Sequence, residues 1–147
     1  MKKVVVTSLA VLLTTLSHAQ GKDAEALVAG KQKADMTYLQ LMEIMGEASS
    51  MMHKGVLRQN KQMVKEGADI ILTHPAPNHK PWTIMAEEDQ AGFKKSLLAY
   101  DQLLDTKAGK VVEDADQGAW TKASNSLNDL NATCLSCHAM WQEKVKR

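Results

Sequence analysis

The chain carries its only two cysteines near the C-terminus, in the run Cys134-Leu135-Ser136-Cys137-His138. On a helix, Cys134 and Cys137 share one face, because residues three apart are neighbours there. Two thiols at this spacing can form thioethers with the two vinyl groups of a porphyrin, and His138 can then bind the iron. We therefore expect one covalent haem c, attached through Cys134 and Cys137 with His138 as an iron ligand.

The same cysteine pair could instead form a disulfide or contribute to a zinc site. Zinc would need two more Cys or His ligands at a fixed spacing, and the sequence offers none. A redox-active pair of the thioredoxin type belongs to a βαβ unit, and no such pattern surrounds this one. Haem attachment is the interpretation that the residues favour.

The first 19 residues have the pattern of a secretory signal peptide. A basic start is followed by an apolar run from Val4 to Leu13 and by the small-x-small pattern Ser17-His18-Ala19. The run is too short for a membrane anchor. Export suits the predicted chemistry, because this kind of haem attachment is completed outside the cytoplasm. We predict a signal peptide at 1–19 and a soluble periplasmic haem domain at 20–147.

The charge balance bears on the class of partner. The sequence has 18 Lys and Arg against 17 Asp and Glu, and Lys2 and Lys3 leave with the signal peptide, so 16 basic residues remain. A chain so close to neutrality has no basic surface for nucleic acid or anionic membrane. We therefore expect neither partner, and the length after cleavage fits one compact domain.

A proline-rich connection divides the chain. All three prolines fall between His74 and Pro81, which cannot be helical throughout. For His74 and His79 beside them, capping or solvated roles are favoured over a surface metal site. Before this segment, apolar residues recur every three or four positions from Tyr38 to Val56, and a second stripe runs from Leu57 to Ile71.

Two further stripes follow the prolines, from Phe93 to Val111 and from Trp120 to Trp141, with the polar segment Asp114 to Gly118 as the turn between them. The last stripe includes both cysteines, so the attachment site is expected on its buried face. No run of residues indicates a strand. The fold class predicted is all-α, an antiparallel up-down-up-down four-helix bundle with the haem between helices.

With these features, the chain resembles the cytochrome c-prime family, which has a signal peptide, four helices and Cys-x-x-Cys-His close to the C-terminus. The stretch Met42-Glu43-Ile44-Met45-Gly46 is similar to the Met-x-x-x-Gly stretch of the low-spin branch, where a methionine of the first helix is the sixth iron ligand. The resemblance implies Met42 as that ligand, with Met45 or an open site as the alternatives. It also implies a homodimer formed through the first two helices.

The chain departs from the family pattern at two places. Tyr38 stands where the family often has an arginine one turn before the ligand methionine. Trp141-Gln142 stands where an aromatic-arginine pair usually follows the haem histidine. Contacts to the haem propionates are therefore expected to differ from those of the family.

Together these features predict a periplasmic electron carrier that serves redox partner proteins and cycles between Fe(III) and Fe(II). Methionine ligation suits that role, because it raises the reduction potential. The alternative is a five-coordinate haem that binds nitric oxide or carbon monoxide at the sixth position. An enzyme is not expected, because the first helix lacks the His-Arg pair that would polarise a bound peroxide.

Overall fold

The computed structural model of the chain describes residues 23–146, so the signal peptide predicted at 1–19 lies outside the described residues. The described chain is mostly helical. Its α-helices are α1 (Ala24–Gly30), α2 (Tyr38–Leu57), α3 (Lys61–Thr73), α4 (Glu87–Asp116) and α5 (Trp120–Trp141). The predicted all-α class is confirmed.

Local side-chain contacts define where the helices begin. At the start of α2, Thr37 Oγ1 accepts a hydrogen bond from the Gln40 N–H, while Gln40 Oε1 accepts one from the Thr37 N–H. This reciprocal capping box satisfies two backbone donors that a helix terminus leaves unpaired. Asn60 caps α3 through a bond from the Met63 N–H. The first turn of α4 carries only acidic charges, which favour the positive end of its dipole.

The four longer helices pack in consecutive pairs. Helix α2 packs on α3 and α4 on α5, while α3 also contacts α4 and α2 contacts α5. The turns inside the pairs are short, residues 58–60 and 117–119, and each contains one residue with positive φ, Gln59 at 53° and Gly118 at 70°. The predicted proline-rich connection joins α3 to α4.

Helices α2 and α3 approach closely at Gly67. A Cβ atom added there would lie 2.6 Å from the Ala48 carbonyl oxygen and 3.0 Å from the Met52 backbone nitrogen. Since both are backbone atoms, only glycine permits this approach. Gly67 therefore sets how near the two helices lie.

Buried side chains form two separate groups. The larger, called the main core here, is contributed by α2 to α5: Ala48, Met52, Val56, Val64, Ala68, Ile71, Ala108, Val111, Ala115, Ala123, Leu127 and Leu130. The smaller, called the second cluster, lies where α5 ends and α4 begins: Ala24, Trp82, Met85, Phe93 and Trp141. Cys137 packs against the second cluster.

The structure adds elements that the sequence pattern did not predict. Helix α1 precedes the first predicted helix, and two two-residue strands, β1 (Lys33–Ala34) and β2 (Ala76–Pro77), pair in parallel. The expectation of no strand was therefore wrong. Strands of two residues are too short to show alternation, so periodicity could not reveal them. Short 3₁₀ turns follow at Pro81–Ile84 and Gln142–Lys144.

Two predicted details differ from the structure. Leu57, expected in the apolar stripe of the second helix, ends α2 instead and is 71% exposed. Helix α4 continues through Asp114, which was predicted to begin a turn. Asp114 is buried there. Its carboxylate tolerates burial because Lys110 Nζ, at 2.8 Å, and Ser126 Oγ, at 2.6 Å, both donate hydrogen bonds to it.

None of the helices within residues 23–146 has the combination of length and apolar character that a membrane span requires.

Candidate functional site

Cys134, Cys137 and His138 lie in the last two turns of α5. Both cysteines are free and half-buried, as expected for the inward face of the helix. His138 is exposed, and its carbonyl oxygen accepts a hydrogen bond from the Gln142 N–H at the end of the helix. The structure thus brings the two thiols to one partly covered face and leaves the imidazole at its edge.

The surroundings of the thiols favour their protonated form. Burial raises the pKa of Cys134. Burial also raises the pKa of Cys137, and negative charge on Cys134 raises it further. A redox-active or nucleophilic cysteine needs a lowered pKa. The electrostatics therefore disfavour the disulfide-exchange interpretation of this pair.

Aromatic side chains surround the Cys137 side of the site. The rings of Tyr38 and Phe93 meet edge to face with centroids 6.0 Å apart, and those of Phe93 and Trp141 do so at 5.4 Å. Such edge-on contacts are favourable because the positive edge of one ring faces the negative face of the next. They tie α2, α4 and α5 together beside Cys137.

Tyr38 of α2 packs against the same cluster as Cys137. Burial, and to a lesser degree its proximity to Cys137, raises the pKa of the Tyr38 phenol above its usual value of 10.0. The phenol is therefore neutral at physiological pH. An uncharged, partly buried ring therefore lies near Cys137.

Trp141 has a buried polar atom with no partner. Among the described residues, its Nε1 is the one buried side-chain nitrogen or oxygen without a hydrogen bond. Leaving such a donor unpaired costs about 1–3 kcal/mol. Trp141 follows Cys137 by one helical turn, so this donor belongs to the cysteine-bearing end of α5.

The methionines of α2 differ in their surroundings. Met52 is fully buried in the main core and Met45 packs against that core. Met42 is half-buried, and within the described chain it is a member of neither apolar group. Core packing therefore accounts for Met45 and Met52 but not for Met42.

A cluster that the sequence analysis missed lies on α4. Asp101 is half-buried and contacts both Lys31, which follows α1, and His74, which ends α3. Asp101 comes four residues after Leu97 and three before Leu104, so it sits on the apolar stripe of α4. A charged residue at a core-facing position was the available signal.

Within residues 23–146, no three His, Cys, Asp or Glu side chains converge in a group that could hold a metal ion. Comparisons with protein-family models, with curated proteins and with solved structures found no match to this chain.

Proposed function

We propose that this protein is a periplasmic monohaem c-type cytochrome that transfers electrons, built as an antiparallel four-helix bundle from α2 to α5. Haem c would be attached through Cys134 and Cys137, with His138 and Met42 as axial ligands. The observation that carries the proposal is the half-buried thiol pair of α5, which is followed at once by histidine and of which Cys137 packs against the aromatic second cluster.

The residues fit the chemistry of covalent haem attachment. Each thiol would add across a vinyl group, so that sulfur bonds to one carbon and the hydrogen moves to the other, and no oxidant is consumed. Protonated, partly covered thiols are suitable reactants, because they do not readily form a disulfide instead. The unpaired Trp141 N–H suits a bound group that carries hydrogen-bond acceptors, as the carboxylates of haem do.

Two observations on α2 and α5 support the placement of Met42. Ser49 Oγ donates a hydrogen bond of 2.7 Å to Asn131 Oδ1, and Tyr38 and Cys137 pack against the same cluster. Residue numbers therefore rise along α2 as they fall along α5, which supports antiparallel packing. Met42 is two turns before Ser49, and His138 is two turns after Asn131. Both would lie about 10 Å from the Ser49–Asn131 contact in the same direction.

His138 needs freedom to turn toward the iron. In the described part of the chain, no side-chain hydrogen bond holds its imidazole, and the side chain is exposed. An imidazole next to the second cysteine can therefore adopt the rotamer that ligation requires.

Electron transfer follows from this ligand set. Haem iron supplies a one-electron couple between Fe(III) and Fe(II). The protein contributes axial ligation and burial, which together tune the reduction potential. The predicted signal peptide supports a periplasmic location, and the reaction requires redox partner proteins as donor and acceptor.

Mass spectrometry of the secreted protein tests the attachment itself. The mature chain from cells that carry out haem attachment should show the added mass of one haem. A variant with Cys134→Ser and Cys137→Ser should lack it while retaining its helical circular dichroism. A secreted wild-type chain without haem mass would refute the proposal.

Optical spectra of the haem protein test the sixth ligand. Wild type should be low-spin in both oxidation states and should not respond to carbon monoxide. Met42→Ala should become high-spin and bind carbon monoxide, because an iron position opens. Met45→Ala is the matched control on the same helix and should stay low-spin. Wild type that is already high-spin would support the gas-binding alternative instead.

A further inference from the structure

Three charged or polar side chains from distant parts of the chain meet beside α4. Lys31 Nζ lies 3.0 Å from Asp101 Oδ1 and 3.0 Å from His74 Nε2, and His74 Nε2 is 3.6 Å from the same carboxylate oxygen. The side chains are only 14–18% exposed. This cluster joins the segment after α1 to the end of α3 and to the middle of α4.

The hydrogen bonds of His74 define its role in the cluster. Its Nδ1 lies 3.0 Å from the Pro75 carbonyl oxygen, which can only accept, so the proton is on Nδ1. The Nε2 lone pair then accepts from Lys31. Lys31 is therefore held by two acceptors, Asp101 of α4 and His74 at the end of α3.

Residues 23–34, here called the strap, contact the rest of the fold through both polar and apolar groups. Besides Lys31, the polar contacts are the Glu25–Lys94 ion pair and the two-residue ladder of β1 with β2. The apolar contacts to a buried cluster come from Ala24 and Val28. The only fully buried residue of α1 is Ala24. Segments with few buried apolar contacts open locally at lower free energy than the core does. The strap can thus open while α2 to α5 stay packed.

The strap packs against the same buried cluster as Cys137. Ala24 is part of the second cluster, and Val28 packs against that cluster together with Tyr38 and Cys137. Cys134 is not among the residues packed against it. Of the two cysteines, Cys137 is therefore the one that shares a cluster with the strap.

A buried ion pair adds little net stability compared with apolar side chains of the same size, whereas removing one partner of such a pair is costly. Asp101 on the apolar stripe of α4 is thus poorly explained by stability alone. The Asp101 carboxylate, on α4, instead binds the Lys31 ammonium of the strap, and we call this contact the latch.

We propose that the strap is a lid over Cys137, latched by the Lys31–Asp101–His74 cluster, and that its opening admits a bulky apolar ligand to the thiols. The identification of this ligand as haem rests on the proposed function. The existence of the lid does not rest on it, because the lid concerns only access to the cysteines.

Thiol labelling of the full chain, purified with both cysteines free, tests the lid. Cys134→Ser leaves Cys137 as the single reporter, and Cys137→Ser leaves Cys134. Adding Asp101→Asn should raise the rate of maleimide labelling at Cys137 about tenfold, equivalent to ~1.4 kcal/mol of opening free energy. Labelling at Cys134 should change less than about twofold, an expectation that rests on the local nature of the opening.

Asp116→Asn is the matched control, because Asp116 forms an ion pair of the same length, 3.0 Å, with Lys65 on a remote part of the fold. It should leave Cys137 labelling unchanged. Lys31→Arg keeps the cation and should stay close to wild type, whereas Lys31→Met should label like Asp101→Asn.

Hydrogen exchange separates a local opening from general unfolding. Asp101→Asn should speed exchange of the amides of residues 24–34 and leave α3 protected. Equal loss of protection in α3 would overturn the lid, as would Cys137 labelling that matches the Asp116→Asn control. These readouts use no haem, so a chain that carries none would refute the proposed function and leave the lid intact.

Discussion

Asp101 keeps its charge at a core-facing position because two side chains contact its carboxylate. Burial raises the pKa of Asp101, but the neighbouring His74 side chain and the hydrogen bond and positive charge of Lys31 outweigh burial and lower that pKa below 3.8. The carboxylate is therefore ionised in the folded protein over the whole neutral range. The contribution of this carboxylate to the free energy of unfolding is therefore expected to decrease as the solution becomes acid.

Asp101→Asn should destabilise the protein at neutral pH and progressively less in acid. A group whose pKa is lowered by folding stabilises the fold above its unfolded pKa and loses that contribution as the pH falls through the folded value. Urea unfolding of wild type and variant at a series of pH values measures the difference in free energy. The difference should be constant above about pH 5 and shrink below about 3.8. A difference that stays the same down to pH 2 would contradict this account.

At the scale of elements, the contact of α2 with α3 depends on Gly67. The added Cβ would meet backbone atoms of Ala48 and Met52, which cannot move without shifting α2 itself. Gly109, in contrast, has no atom within 4 Å of such a Cβ. Replacing each glycine by alanine therefore separates two effects: the steric effect of the close helix approach at Gly67 and the effect of helix propensity, which acts alone at Gly109.

Gly67→Ala should lower the free energy of unfolding by about 1–3 kcal/mol, because it overpacks the α2–α3 contact. Gly109→Ala should raise it by about 0.5–1 kcal/mol, because alanine loses less backbone entropy in a helix. Chemical denaturation of the two variants gives both values. Equal effects of the two changes would show that the close approach at Gly67 does not constrain the helices.

For the whole molecule, the division of the buried residues into a main core and a second cluster is the principal feature. Half-buried side chains lie at the levels between them, including Met42, Leu97, Asp101 and Cys134. Haem between the helices would bury apolar surface at this level and connect the two groups. Such a ligand, bound to the folded state only, stabilises the fold.

The haem-bearing protein should therefore melt at a higher temperature than the Cys134→Ser, Cys137→Ser chain. A gain of a few kcal/mol corresponds to roughly 10 °C in a domain of this size. Calorimetry of both proteins under the same buffer conditions gives the two melting temperatures. Matching temperatures would mean that the attached group adds no buried contacts.

Short-range patterns predicted much of the fold and the location of the candidate site. Helices α2 to α5 could be recognised because the spacing of apolar residues is a local property of the sequence. For the same reason, the three-residue spacing of the two cysteines places them on one face of α5. Haem attachment and ligation by Met42 stay predictions. The exposure of His138 was not expected, since a spacing rule gives a residue's face but not the rotamer of its side chain.

Tertiary structure alone revealed the contacts of residues 23–34, the parallel pair of β1 and β2 and the cluster of Lys31, His74 and Asp101. Lys31, His74 and Asp101 are far apart in the sequence. Asp101 falls on an apolar stripe, but nothing local indicates which residues are its partners. Their charges become a cluster only when α1, the end of α3 and α4 are packed together. Local periodicity carries no information about such contacts, because the free energy of a charged group depends on which neighbours replace its water.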